Sequence, residues 1–162
     1  MRVNYILIDY ENVQPTVLNL LNEQTFKVLI FIGANQTKIN IDLAIALQAM
    51  GERAEYIKID GTGSNALDFH IAFHIGRISE KDTNAYFHII SKDTGFDPLI
   101  RHLKSRKIYA IRSKEISDIP VIKVSNAKTV EEKISAIIMN LRERGNARPR
   151  TLVTLSNSIN SL

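Results

Sequence analysis

Residues 5–8, Tyr-Ile-Leu-Ile, form an unbroken apolar run that stops abruptly at Asp9. Four residues are too few for a helix, part of the run is β-branched, and nothing alternates, which marks a strand buried on both faces. Such a strand belongs inside a parallel sheet covered by helices. Similar runs follow at 27–32, 54–59, 86–90 and 107–111. Between them lie helical patterns at 39–50, 65–79 and 98–105, and another expected from Pro15, with Val17, Leu18, Leu20 and Leu21 as its buried side. Short strands alternating with longer helices give βαβ units. The fold class is therefore α/β: a three-layer α/β/α arrangement around a central, mostly parallel sheet of about five strands, the first of them central.

Past residue 112 the pattern loosens. Residues 121–124 read as a last short strand, and 129–142 as an amphipathic helix with Val130, Ile134, Ile137, Ile138 and Leu141 on its apolar side. Residues 142–150, rich in Arg and carrying Gly and Pro, read as a basic linker. Leu152, Leu155, Ile159 and Leu162 then recur at helical spacing. The expected organisation is one domain over 1–141, a linker over 142–150 and a C-terminal helical extension over 151–162. The final apolar stripe needs cover, from the domain itself, a second copy (a homodimer) or a further domain.

With 162 residues, 44% of them hydrophobic, the chain can bury a real core as one domain. No run approaches a membrane span, and Met1-Arg2 leads directly toward a strand rather than a signal peptide. The absence of cysteine excludes disulfides and thiolate metal sites and fits a cytoplasmic location. Charge is segregated: residues 1–100 hold 8 Lys/Arg against 12 Asp/Glu, and residues 101–150 hold 13 against 5. A basic flank beside an acidic centre suits a protein that holds a polyanion by its phosphates while coordinating a cation beneath it.

In open α/β sheets the reactive groups collect beyond the carboxyl ends of the strands, where Asp9 stands. Asp93 follows the fourth strand, Asp97 opens the next helix, and Asp68 lies in the first turn of a helix apolar on most sides, and so expected to be buried. These four acids reach one crevice if strands one and four are neighbours. Carboxylates at close quarters repel, and a divalent cation relieves the repulsion. Oxygen ligands without cysteine favour Mg2+ or Mn2+ over zinc. An ion of this kind lowers the pKa of a bound water and offsets charge building up on phosphorus, so the implied chemistry is phosphodiester hydrolysis.

The order Leu-Ile-Asp9-Tyr-Glu-Asn12, then Asn65-Ala-Leu-Asp68, then Ser91-Lys-Asp93-Thr-Gly-Phe-Asp97 resembles the NYN and PIN-like ribonucleases, over roughly residues 3–112. In that family the first strand ends in Asp-x-x-Asn and a Ser-x-Asp motif follows the fourth. The resemblance implies a PIN-like fold and a metal-dependent endoribonuclease. Asp9, Asp68, Asp93 and Asp97 would be its catalytic metal carboxylates, and Asn12 would orient the site. One departure is that the usual Ser-Gly-Asp-Ser-Asp spacing is stretched here, displacing the last acid by two positions. The partner is nucleic acid, single-stranded or structured RNA. Asn35 and Lys38 of the second loop, Ser91 and Lys92 of the fourth, and Arg101 and Lys104 of the next helix are candidate substrate contacts. Tyr10 and Phe96 are the aromatics expected to flank the site for base stacking.

Competing readings exist. Gly61-Thr-Gly-Ser-Asn-Ala66 fits a dinucleotide fingerprint, but it follows the third strand instead of the first. A phospho-acceptor aspartate is compatible with a similar sheet. His70 and His74 share a helix side but lack a third zinc ligand, and Asp42 reads as a surface or cap residue. A catalytically inactive PIN-like module that binds nucleic acid or protein is the alternative to an enzyme.

Overall fold

The computed structural model describes residues 2–15, 21, 25–143 and 148–160. The helix expected after Pro15 falls largely outside them, as do Val17, Leu18, Leu20 and Leu162. Leu21 is described and fully buried. The chain forms two compact units, Met1–Ile116 and Ser117–Leu162.

The first unit is built on five parallel strands, β1 (Asn4–Asp9), β2 (Phe26–Ile32), β3 (Ala54–Lys58), β4 (Tyr86–Ile90) and β5 (Tyr109–Ser113). Their order is β3-β2-β1-β4-β5, so β1 is central and the chain reverses direction across the sheet between β1 and β4. Ile8 lies level with Ile30 on one side and Ile90 on the other, which places Asp9 at the carboxyl rim of the switch point. α2 (Ala66–Lys81) and α3 (Phe96–Ser105) cover one side of the sheet. There Leu7, Leu29, Phe31, Phe87 and Ile89 pack with Leu67, Ile71, Ile75, Ile100 and Leu103. α1 (Ile41–Met50) buries Leu43, Leu47 and Met50, and right-handed crossover puts it over the opposite side. This is the three-layer α/β/α fold.

Local chemistry explains the boundaries. Asn40 caps α1, its Oδ1 accepting from the N–H groups of Asp42 and Leu43 at 2.8 and 3.2 Å. Gly51 ends the helix at a φ of 57°, a conformation glycine takes without a Cβ penalty. Asp42 is exposed in the first turn, as expected of it. Asn65 precedes α2 with φ of 61°, a left-handed conformation that asparagine tolerates. β5 starts two residues later than the sequence pattern places it. Lys107 takes φ of 62° to close α3, and the Ile108 N–H bonds the Leu103 carbonyl at 2.9 Å, so extended chain resumes only beyond that turn.

The second unit holds α4 (Pro120–Asn126), α5 (Val130–Glu143) and α6 (Leu152–Asn160). The expected strand at 121–124 is a correction: these residues are helical. Pro120 occupies the first turn of α4 after an extended Ile119, where its fixed φ favours a helix, and a four-residue apolar run does not by itself distinguish the two states. A capping box starts α5. The Glu132 N–H bonds Thr129 Oγ1 at 3.1 Å, and Glu132 Oε2 accepts from the Thr129 N–H at 3.2 Å. Val130, Ile134 and Ile138 on α5, and Leu152, Val153 and Ile159 on α6, are exposed. No helix among the described residues is long and apolar enough to cross a membrane.

Candidate active site

Asp9 is buried at the end of β1, and its carboxylate is held by three donors. Oδ1 accepts from the Asn12 backbone N–H at 3.2 Å, and Oδ2 accepts from Asn12 Nδ2 at 2.8 Å and from the Ser91 hydroxyl at 2.7 Å. A buried carboxylate requires such partners, and together they fix its rotamer. Asn12 thus holds the Asp9 carboxylate from both its backbone and its side chain. Ser91 is fully buried just past β4. It positions Asp9 instead of presenting itself to a substrate, and its Oγ also accepts the Asp93 N–H at 3.0 Å.

Asp93 is half-buried, and its Oδ1 accepts from the Gly95 N–H at 2.7 Å, a tight turn that lifts the carboxylate above the β4 rim. Asp68, in the first turn of α2, is half-buried and its pKa is pushed up to about 6. Desolvation is the largest cause, followed by the negative charges of Asp9, Asp93 and Glu11. Asp9 and Glu11 lie at and just past the end of β1 and Asp93 follows β4, so acids from two separate stretches of chain both act on Asp68 at the start of α2. Glu11, between Asp9 and Asn12 in the motif after β1, is one of the charges acting on Asp68. Gly33, at the end of β2, gives it room: a Cβ there would collide with the Glu11 carboxylate.

Asp97 is occupied differently. Both of its oxygens accept from the Arg112 guanidinium, Oδ1 from Nε at 2.8 Å and Oδ2 from Nη2 at 3.3 Å. Its pKa is lowered, first by that bond and then by the charges of Arg112 and Arg101. A further Arg112 donor reaches the Ser91 carbonyl at 3.3 Å, so one side chain of β5 ties α3 to the loop after β4. Reasoning from sequence missed Arg112, because the late start of β5 is what brings it to the rim.

Among the proposed substrate contacts, Asn35, Lys38, Lys92, Arg101 and Lys104 are exposed. The aromatic expectation is corrected. Tyr10 and Phe96 are 1% and 2% exposed, packed into the interior and closed to a base. Phe69 and Phe73 of α2 are instead 70% and 62% exposed, so α2 is not buried on most sides as its composition suggested. His74 is buried, its pKa lowered chiefly by desolvation, while His70 is half-buried.

Among the described residues no three His, Asp or Glu side chains close into a ready-made metal-ligand set. The donors that are present nevertheless suit a hard cation. Asp9, Asp68 and Asp93 offer oxygen alone, their mutual repulsion is registered at Asp68, and Mg2+ takes only one or two carboxylates while keeping waters.

No curated protein and no solved structure gives a significant match to the chain. The family model for the PIN domain matches residues 3–113, from just before β1 to the last residue of β5. PIN domains are typically nucleases and generally use divalent metals. With the matched segment spanning the whole parallel sheet and every acid of the crevice, this chain belongs to the PIN domain family.

Proposed function

We propose that the protein is a divalent-metal-dependent endoribonuclease of the NYN type, hydrolysing RNA phosphodiester bonds at the carboxylate crevice. The observation that carries this reading is that Asp9, Asp93 and Glu11 all add their negative charge to the desolvation that raises the Asp68 pKa to about 6. Negative charge gathered at the carboxyl rim of a sheet favours a bound cation, and among the described residues no ion pair engages Asp9, Asp68 or Asp93. Asp9, Asp68 and Asp93 would hold Mg2+ or Mn2+. Asp97 contributes less directly, since Arg112 engages both its oxygens. When bound, the cation supplies a water of lowered pKa and offsets the charge that develops at phosphorus.

The chain's own residues prepare that site. Asn12 and Ser91 hold the Asp9 carboxylate in one orientation, so it need not reorganise when substrate arrives. Asp68 is ionised above a pH of about 6 and is then ready to accept a cation. Lys38, Lys92, Arg101 and Lys104, all exposed, would neutralise substrate phosphates beside the acids, with Asn35 as a polar contact.

The test is cleavage of end-labelled RNA by the purified protein with Mn2+ or Mg2+. Cutting is expected, to be abolished by chelation and by Asp9→Asn combined with Asp93→Asn, with the thermal transition of the double variant retained. Wild-type protein that binds RNA yet leaves it uncut with either ion would instead mark an inactive binding module.

A further inference from the structure

α2 carries two apolar faces, and only one belongs to the core. Leu67, Ile71 and Ile75 repeat every four residues and are buried against the sheet. Phe69 and Phe73 repeat at the same interval, about 200° round the helix from that stripe, and stand in solvent. Two large exposed rings one turn apart forfeit the burial that a phenylalanine ordinarily gains, so they require a reason.

Their surroundings supply one. The Arg77 guanidinium, one turn further on, lies over the Phe73 ring at 5.8 Å from its centroid. Arg77 also donates to His74 Nδ1 at 3.2 Å, and the lowered pKa of His74 favours the neutral ring that such a bond requires. His74 in turn meets Phe73 edge-on at 5.6 Å and Phe31 of the core at 5.2 Å. The outer ring and the cation are thus braced from the protein interior. Phe69, Phe73 and Arg77 climb α2 in steps of about 6 Å. The series begins in the same first turn of α2 that carries Asp68. The acids of α2 itself are Asp68 at the start and Glu80 in the last turn.

From this arrangement we propose that the Phe69–Phe73–Arg77 face of α2 is a stacking track for single-stranded RNA leaving the carboxylate crevice. The rings take unpaired bases and Arg77 takes a phosphate. The idea rests on the nuclease reading for its substrate and deepens it: duplex RNA keeps its base faces inside the stack and gains nothing from the track.

The experiment measures binding apart from cleavage, using the full chain with Asp9→Asn in Mg2+ and a fluorescent 12-nucleotide oligo(U). Phe69→Ala with Phe73→Ala is expected to weaken binding by about thirtyfold or more, since two stacking contacts are lost. The dependence of affinity on salt should stay the same, because a ring releases no counterions. Arg77→Ala should instead flatten that dependence by somewhat less than one phosphate contact. The protein has no tryptophan, so Phe73→Trp introduces a single reporter whose emission oligo(U) should quench. The proposal is overturned by unchanged affinity in the double alanine variant, by an unquenched tryptophan in the bound complex, or by an absence of RNA binding. It is equally overturned if that variant loses a dimer on sedimentation while binding RNA normally, which would mark the face as an interface between copies. Failure of the two ideas is distinguishable. Binding through the rings without cleavage by the wild type sinks the nuclease reading alone, and cleavage that the double alanine variant retains with full affinity sinks the track alone.

Discussion

Ser91 donates its hydroxyl hydrogen to Asp9 Oδ2 at 2.7 Å across 82 positions of sequence. The two residues meet because β1 and β4 pair in parallel, with Ile8 level with Ile90, so the next residue along each strand emerges side by side at the rim. The same hydroxyl receives the Asp93 N–H. A single oxygen thus orients one acid and fixes the loop that presents a second.

Replacing Ser91 by alanine leaves a buried carboxylate with one donor fewer and the Asp93 N–H without its acceptor. Urea unfolding should register a loss of about 1–3 kcal/mol, the usual cost of an unmet bond to a buried charged group. Nuclease activity should fall along with it. A variant as stable as the wild type would mean that Asn12 alone holds Asp9.

Gly33→Ala is expected to separate stability from site electrostatics. Its new methyl meets the flexible end of exposed Glu11, which can swing away, so unfolding free energy should stay within about 0.5 kcal/mol of wild type. With Glu11 displaced, one of the charges raising the Asp68 pKa retreats. The Asp68 carboxyl titration, followed by carbon NMR, should therefore move to lower pH than in the wild type.

Two groups should bend the pH dependence of stability in opposite directions in chelated buffer. Asp68 has a folded pKa of about 6 against an ordinary 3.8. The folded state binds more protons between those values, and stability falls as pH rises through that window. Asp68→Asn should therefore gain about 1 kcal/mol above pH 6, after allowing for solvent screening at a half-exposed position, and nothing below about pH 4. His88, fully buried on β4, is lowered by desolvation to about 3 from 6.5. Its Nε2 pairs with Asn4 Oδ1 at 2.9 Å, while Nδ1 has no hydrogen-bond partner among the described residues. Here the unfolded state binds the extra proton, so stability is lost as pH drops from about 6.5 toward 3. His88→Leu should flatten that acid limb, and urea midpoints from pH 4 to 8 read both effects. An unaltered acid limb would exclude His88 as its source.

Much of the architecture is local information. Apolar runs of five or six residues, the helical periods between them and the stops at Gly33 and Gly51 are written in adjacent residues, because strand and helix periods are properties of the backbone. The five parallel strands, the central place of β1 and the rim position of Asp9 could be read on that basis. The four-residue stretch 121–124 could not, since so short a run satisfies either period and the proline at its start decides.

The site depended on distance in three dimensions. Nothing near Asp97 in sequence announces that Arg112, 15 residues on, will hold both its oxygens. That pairing follows from the turn at Lys107, which sets where β5 begins. Tyr10 and Phe96 stand beside the acids in sequence yet turn inward, whereas Phe69 and Phe73 belong to an apolar helix yet turn outward. A helix's period says which residues share a face. Only the packing of α2 on the sheet chooses which face is covered, because burial is a property of neighbours that come from elsewhere in the chain.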